Sequence, residues 1–210
     1  MNISSVLARN KWFFLLYTLF LIAGGYYIFH YSKGEGFLLI NQWHSNFADS
    51  FFKFFTNAGD GLVYVAFILI FFFINRRSAL IGFWGFAASS LTVQLVKQVI
   101  IKDTPRPKTF FENPGILHFV DGVTVHGFGS FPSGHTATAF SIALWMAYLT
   151  PNKFIGALYL IPAILVGYSR IYLAQHFPED VIVGSLIGII TTVIVIAIME
   201  GRRNKKGKAS

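Results

Sequence analysis

Residues 154–199 read FIGALYLIPAILVGYSRIYLAQHFPEDVIVGSLIGIITTVIVIAIM, two long apolar runs joined by a short polar segment. Phe154–Tyr172 and Val181–Met199 each approach the roughly 20 apolar residues that a helix needs to cross a bilayer core. Where they meet, the chain places Arg170, Gln175, His176, Glu179 and Asp180, with Pro178 suited to the first position of a new helix. Ionisable groups at membrane depth are costly and persist where chemistry or a partner compensates them. The stretch therefore predicts two spanning helices with a reactive turn between them.

Outward from this hairpin, further apolar runs occur at about Trp12–Phe29, Gly61–Ile74, Ala79–Ile101 and Thr136–Leu149. The Phe-rich, mixed-polarity stretch Gly36–Gly59 reads as interfacial. The expectation is an all-α, six-transmembrane helical bundle forming one domain over 1–210, since no stretch resembles a flexible linker. Arg9 and Lys11 precede the first run as in a signal peptide, but no small-residue cleavage site follows, so it is read as an anchor. Composition agrees: 54% of residues are apolar and only 12% charged, against about a quarter charged in soluble domains. The mean hydropathy is +0.58.

The net charge of +8 is unevenly spread. Arg202, Arg203, Lys205, Lys206 and Lys208 cluster in the tail 201–210, as a cytoplasmic anchor on anionic lipid does. No basic stripe interleaves with aromatics, which excludes nucleic acid as a partner. With the N-terminus inside, the cytoplasmic segments hold ten of the 17 basic residues (Arg9, Lys11, Arg76, Arg77, Lys153 and the tail five) and the outer face seven. The positive-inside rule then places segments 102–135 and 173–180 on the extracytoplasmic side. The absence of cysteine excludes disulfides, thiolate metal sites and a thiol nucleophile.

Three segments of this outer face carry phosphate-handling chemistry. In KQVIIKDTPRP (97–107), Ser90, Gln94, Lys97 and Gln98 share one stripe of the preceding helix. Arg106 is held between Pro105 and Pro107, and a guanidinium clamps phosphate through paired hydrogen bonds. In Pro132-Ser133-Gly134-His135, Ser133 suits a helix cap, the free amides of the first turn attract an anion, and Gly134 allows close approach. In the third segment, Arg170 ends an apolar span, and His176 and Asp180 stand four apart. A carboxylate on one imidazole nitrogen fixes the tautomer and frees the other to attack. Each segment alone has an ordinary structural explanation: a snorkelling lysine, a capped helix, a His–Asp pair. All three on one face make an inventory for phosphate.

These residues resemble the type 2 phosphatidic acid phosphatase superfamily, which includes bacterial membrane lipid phosphatases. Its pattern is Lys, six residues, Arg-Pro; then Pro-Ser-Gly-His; then Ser-Arg, five residues, His, three residues, Asp. The second and third parts match at 132–135 and at Ser169, Arg170, His176 and Asp180. The first departs, because six residues after Lys97 stands Thr104, and Arg106-Pro107 follows two later. Either Arg106 fills the role through a shifted loop, or it is peripheral and Thr104 marks a weakened site that Thr104→Arg would strengthen.

The resemblance implies that His176 attacks phosphorus to give a phosphohistidine, oriented by Asp180, with His135 as acid and then base. Lys97, Arg106, Ser133, Gly134 and Arg170 would hold the phosphoryl oxygens. No carboxylate cluster suits magnesium, so no metal or other cofactor is expected. The implied partner is a phosphorylated lipid: a polyprenyl diphosphate, phosphatidic acid, phosphatidylglycerophosphate or lipid A. The expected location is a bacterial inner membrane with the site facing outward. Phosphotransfer to a second lipid and anion or lipid transport are the competing readings. Phe110, Phe111, Phe119, Phe128 and Phe131 either cap the site or anchor an interfacial loop. His30, His44, His118 and His126 receive no catalytic role.

Overall fold

A computed structural model describes residues 2–206, with side chains as far as Arg202. The tail cluster beyond Arg202 lies outside the described side chains. The described chain forms helices α1 (Ile3–Arg9), α2 (Lys11–His30), α3 (Lys33–Asn41), α4 (Asn46–Phe55), α5 (Gly61–Ile74) and α6 (Arg76–Leu95). It continues with α7 (Pro107–Phe110), α8 (Gly134–Leu149), α9 (Lys153–Leu158), α10 (Leu160–Tyr172) and α11 (Pro178–Lys206). Every apolar run read from the sequence is helical. Local signals set the starts: Asp60, Asn75 and Ser133 each cap the following helix by accepting from its first-turn amides. Pro178 opens α11 with Glu179 and Asp180 in the first turn, where acidic groups suit the helix dipole.

Among the described residues four helical segments are long and apolar enough to cross a membrane: Lys11–His30, Arg76–Ile100, Lys153–Tyr172 and Pro178–Arg202. A fifth results if Asn46–Gly59 and Gly61–Ile74, bent by 53°, form one broken span. Helix α8, with 16 residues, is shorter than these. It is apolar nearly all round and buried along almost its whole length, which is the pattern of a helix enclosed by its neighbours. Helices α5, α6, α9, α10 and α11 all pack against it. The core centres on Trp145, Tyr64, Phe140 and Leu144, and Trp145 Nε1 donates to Ser78 O at 3.1 Å.

Helix α11 lies unusually close to α8. A Cβ at Gly184 would meet Ser133 O at 2.5 Å, and one at Gly188 would meet Ala137 O at 2.3 Å. Small residues that let helix backbones touch are the usual device of membrane bundles. Arg9, Arg77 and Lys153 lie at one end of the bundle. Arg9 stacks on Tyr148, Lys153 Nζ donates to Ala147 O and Tyr148 O, and Arg77 donates to Met199 O. The polar segments 97–107, 130–135 and 170–180 meet at the opposite end.

The Phe-rich stretch forms α3 and α4, which hold the 117–121 segment and the end of α10. Asn41 Nδ2 donates to His118 O and Tyr172 O, both at 2.9 Å, and its Oδ1 accepts from His118 N. Lys53 Nζ donates to Asp121 O at 2.5 Å.

Candidate active site

His176 sits in the turn between α10 and α11, and a helix-ending arrangement fixes its backbone. Ala174 N donates to Ile171 O, and Gln175 N to Arg170 O, which is the paired bond pattern of a Schellman turn. The left-handed residue is Ala174, at φ 54°, where glycine is usual. His176 N also donates to Arg170 O, at 3.1 Å. The first turn of α11 then brings Asp180 back beneath the imidazole, with Oδ2 3.4 Å from Nδ1. That is longer than a formed hydrogen bond, because Oδ2 already accepts from Ser130 Oγ at 2.5 Å and from Phe177 N at 2.9 Å. Catalytic contacts of this kind commonly tighten with substrate. With Nδ1 on the carboxylate side, Nε2 is the nitrogen left to react. Burial holds the His176 imidazole neutral, well below its ordinary pKa, against the opposing pull of Asp180.

The second segment is tied to the third through the backbone: Ser133 N donates to Asp180 O at 3.0 Å. Ser133 caps α8, its Oγ accepting from the Thr136 hydroxyl at 2.8 Å. Gly134 opens the helix, and a Cβ there would stand 3.8 Å from Val93. His135 follows, half-buried, with Nε2 4.0 Å from Asp60 Oδ2.

Arg106 is not peripheral. It is buried, its Nε donates to Phe128 O at 3.0 Å, and one terminal nitrogen donates to Gln175 Oε1 at 2.6 Å. It acts electrostatically on Lys97, His135, Arg170 and His176, so it lies among them. Lys97 reaches the same place, with Nζ donating to Gly129 O at 2.8 Å. The two extra residues between them coincide with a π turn, Val96–Ile100, and a left-handed Asp103 at φ 51°. Thr104, in contrast, ties two loop segments together. Its Oγ1 accepts from Phe131 N at 2.9 Å and its carbonyl from Ser130 N at 3.1 Å. Thr104 thus has a structural role of its own, holding segment 104–106 against Ser130 and Phe131.

Arg170, also buried, donates through one terminal nitrogen to Thr56 Oγ1 at 2.8 Å, and its Nε has no protein partner. The eight residues singled out by sequence thus converge on one end of the bundle. Gln175 of the polar turn pairs with Arg106, and Thr56, Asp60 and Ser130 join them unannounced. Of those three, Asp60 alone had a sequence signal, as a polar residue capping an apolar run. Among the described residues no group of three or more His, Cys, Asp or Glu is arranged to hold a metal ion.

The sequence profile of the PAP2 superfamily matches residues 78–204, more than half of the chain. The protein belongs to the PAP2 superfamily. Among curated proteins, the lipid A 4'-phosphatase of Bacteroides thetaiotaomicron is 34% identical over 79 residues, covering 37% of this chain and 35% of that protein. Undecaprenyl-diphosphatase BcrC of Bacillus subtilis is 40% identical over 80 residues, 37% of this chain and 40% of that one. This PAP2 chain therefore spans well under half the length of these relatives. The crystal structure of Aquifex aeolicus LpxE superposes with a TM-score of 0.65 at 32% identity, over 76% of this chain and 92% of that one. The PAP2 fold and the apolar helices make the chain a multi-pass membrane protein.

Aromatic residues of the 108–131 segment of this PAP2 chain pack beside the His176 turn. Phe110 packs on Phe177, the neighbour of His176, with ring centroids 5.1 Å apart, and Phe111 packs on Phe37 at 5.7 Å. Phe119 and Phe128 are exposed, and Phe131 is half-buried. His118 serves the scaffold, its Nε2 2.8 Å from Asp49 Oδ1 and its ring stacked on His44 at 3.7 Å. His30 and His126 are exposed.

Proposed function

We propose that the protein is a membrane lipid phosphatase working through a phosphohistidine on His176. The observation that carries this reading is a buried imidazole beside Asp180, close enough to Arg106 and Arg170 to feel their charge. A histidine nucleophile must be neutral, and a transferring phosphoryl group must meet positive charge. Both conditions hold at this one place.

In the first step His176 Nε2 bonds to phosphorus as the P–O bond to the lipid breaks. His135 gives its proton to the departing oxygen. In the second step water attacks the phosphohistidine, His135 takes its proton, and the N–P bond breaks to release phosphate and neutral His176. Asp180 steadies the imidazolium character that develops in both steps. Lys97, Arg106 and Arg170, with Ser133 and the Gly134 amide, hold the phosphoryl oxygens. The unpartnered Nε of Arg170 is one donor available to them. These cations do the work that magnesium does in many phosphoryl transfers.

The site faces the extracytoplasmic side of a bacterial inner membrane in this reading. Its support is the gathering of Arg9, Arg77 and Lys153 at the far end of the bundle, as the positive-inside rule requires of a cytoplasmic face. The reading treats 1–210 as one catalytic domain acting on a phosphorylated lipid.

The test is phosphate release by purified protein in detergent with chelator present, from lipid A, phosphatidic acid, phosphatidylglycerophosphate and a polyprenyl diphosphate. His176→Ala should abolish release, and acid-labile phosphate should appear on the wild-type chain after a rapid quench. Release that survives His176→Ala would refute the nucleophile assignment. Release that needs added magnesium would refute the cation assignment.

A further inference from the structure

His135 must hand a proton to the departing oxygen, yet Lys97, Arg106 and Arg170 all act on it with like charge. A general acid beside three cations loses its proton to water unless a carboxylate opposes them. Asp180 is committed elsewhere, accepting from Ser130 and Phe177 beneath His176. The carboxylate that opposes the cations at His135 is Asp60, with Oδ2 4.0 Å from Nε2.

The turn in front of α5 places Asp60 there. Thr56–Gly59 form a single tight turn, and a Cβ at Gly59 would meet His135 O at 2.8 Å. The residue before Asp60 thus lies directly on the backbone of His135. At the other end of the turn, Thr56 Oγ1 accepts from Arg170 at 2.8 Å. Asp60 Oδ1 is used by the α5 cap, accepting from Leu62 N at 2.8 Å, which leaves Oδ2 for the imidazole. A separation of 4.0 Å is longer than a hydrogen bond, so the carboxylate acts through charge and leaves Nε2 free for the substrate. The turn lies outside residues 78–204, which the PAP2 profile matches.

We propose that Asp60 is a positioning residue for proton transfer, keeping His135 protonated until the lipid oxygen departs, and that the 56–60 turn is a fourth segment of the site. The inference rests on the phosphatase reading and assigns what sustains its acid. The proton leaves His135 with the lipid alcohol in the first step. It is regained from water in the second, where the same carboxylate steadies the imidazolium.

The test measures kcat/KM against pH in detergent, for the lipid phosphomonoester hydrolysed fastest in the panel above and for p-nitrophenyl phosphate. The lipid alcohol needs a proton to leave, whereas nitrophenolate does not. Asp60→Asn removes the charge and keeps a good helix cap. It should lower kcat/KM for the lipid by about tenfold or more and for the aryl phosphate far less. The alkaline limb of the lipid profile should move down by about half a pH unit or more, as expected for losing a charge at this distance. In a His135→Ala background Asp60→Asn should cost nothing further, because the residue through which it acts is gone. Asp60→Ser also keeps the cap and repeats each comparison. Equal losses on both substrates, an unmoved alkaline limb, or a further loss in His135→Ala would overturn the proposal and leave the phosphatase reading intact. Failure of both capped variants to fold would also overturn it, since Asp60 would then serve the fold itself. No phosphate release by the wild type would overturn both readings.

Discussion

Substituting Gly188 by alanine tests how closely catalysis depends on the contact between α8 and α11. A Cβ at this position meets Ala137 O at 2.3 Å and Ser141 N at 3.1 Å, both backbone atoms that no rotamer change can move. Real Cβ contacts do not fall below about 3.0 Å, so the helices must part by about 0.7 Å. Helix α8 carries His135, and α11 carries Asp180 and follows His176. The same parting would stretch the 3.0 Å bond from Ser133 N to Asp180 O beyond hydrogen-bond range. Overpacking costs about 1–3 kcal/mol, and the better helix propensity of alanine returns roughly 1 kcal/mol. Stability should therefore change modestly. Turnover should fall further, by about 30- to 100-fold, because a misplacement of about 1 Å costs on the order of a hundredfold. The assay is kcat on the best lipid substrate beside a thermal melt in detergent. Gly25→Ala on α2 serves as control, since nothing lies within 4 Å of a Cβ there. A Gly188→Ala protein with kcat within about twofold of wild type would refute the reasoning, since α8 and α11 would then not set the catalytic distance.

Ser130→Ala removes a buried donor from Asp180 Oδ2. About 1–3 kcal/mol of positioning should be lost, seen as a fall in kcat of about tenfold or more with KM little changed. An equal rise in KM would point to a merely structural role. Thr104→Arg should lower activity and stability, because it breaks the bond from Phe131 N and adds a cation beside Arg106. A faster variant would restore the weakened-site reading. Since the folded pKa of His176 is depressed, the unfolded chain binds the extra proton and stability falls as pH drops below about 6.5. Between about pH 7 and pH 5 this amounts to about 2 kcal/mol, and His176→Gln should remove that share of the pH dependence in thermal melts.

The spans were legible because lipid as solvent forces a crude code: long apolar runs, ionisable groups only where they are used, basic residues gathered to one side. Asp180, His176 and Arg170 could be read from sequence for the same reason, as charges at the ends of apolar helices. Spacing failed at Lys97 and Arg106. Their separation in the chain says nothing of a π turn, and helical periodicity assumes that each turn holds the usual number of residues. Ala174 gave no warning either. A left-handed residue is announced by glycine, and here the surrounding packing imposes it on alanine. Ser130 and Thr56 are common polar residues in unremarkable contexts, and only long-range contact brings them beside Asp180 and Arg170.

The sequence by itself determined the membrane-embedded helical character, the end of the bundle that carries chemistry, and the residue types available there. The tertiary structure decided that Lys97 and Arg106 meet the same 128–129 segment, which hydroxyl donates to Asp180, and how closely α8 and α11 approach. Hydropathy and helix caps are properties of neighbours in the chain, whereas a carboxylate's donors and the approach of two helices depend on backbone segments far apart in it.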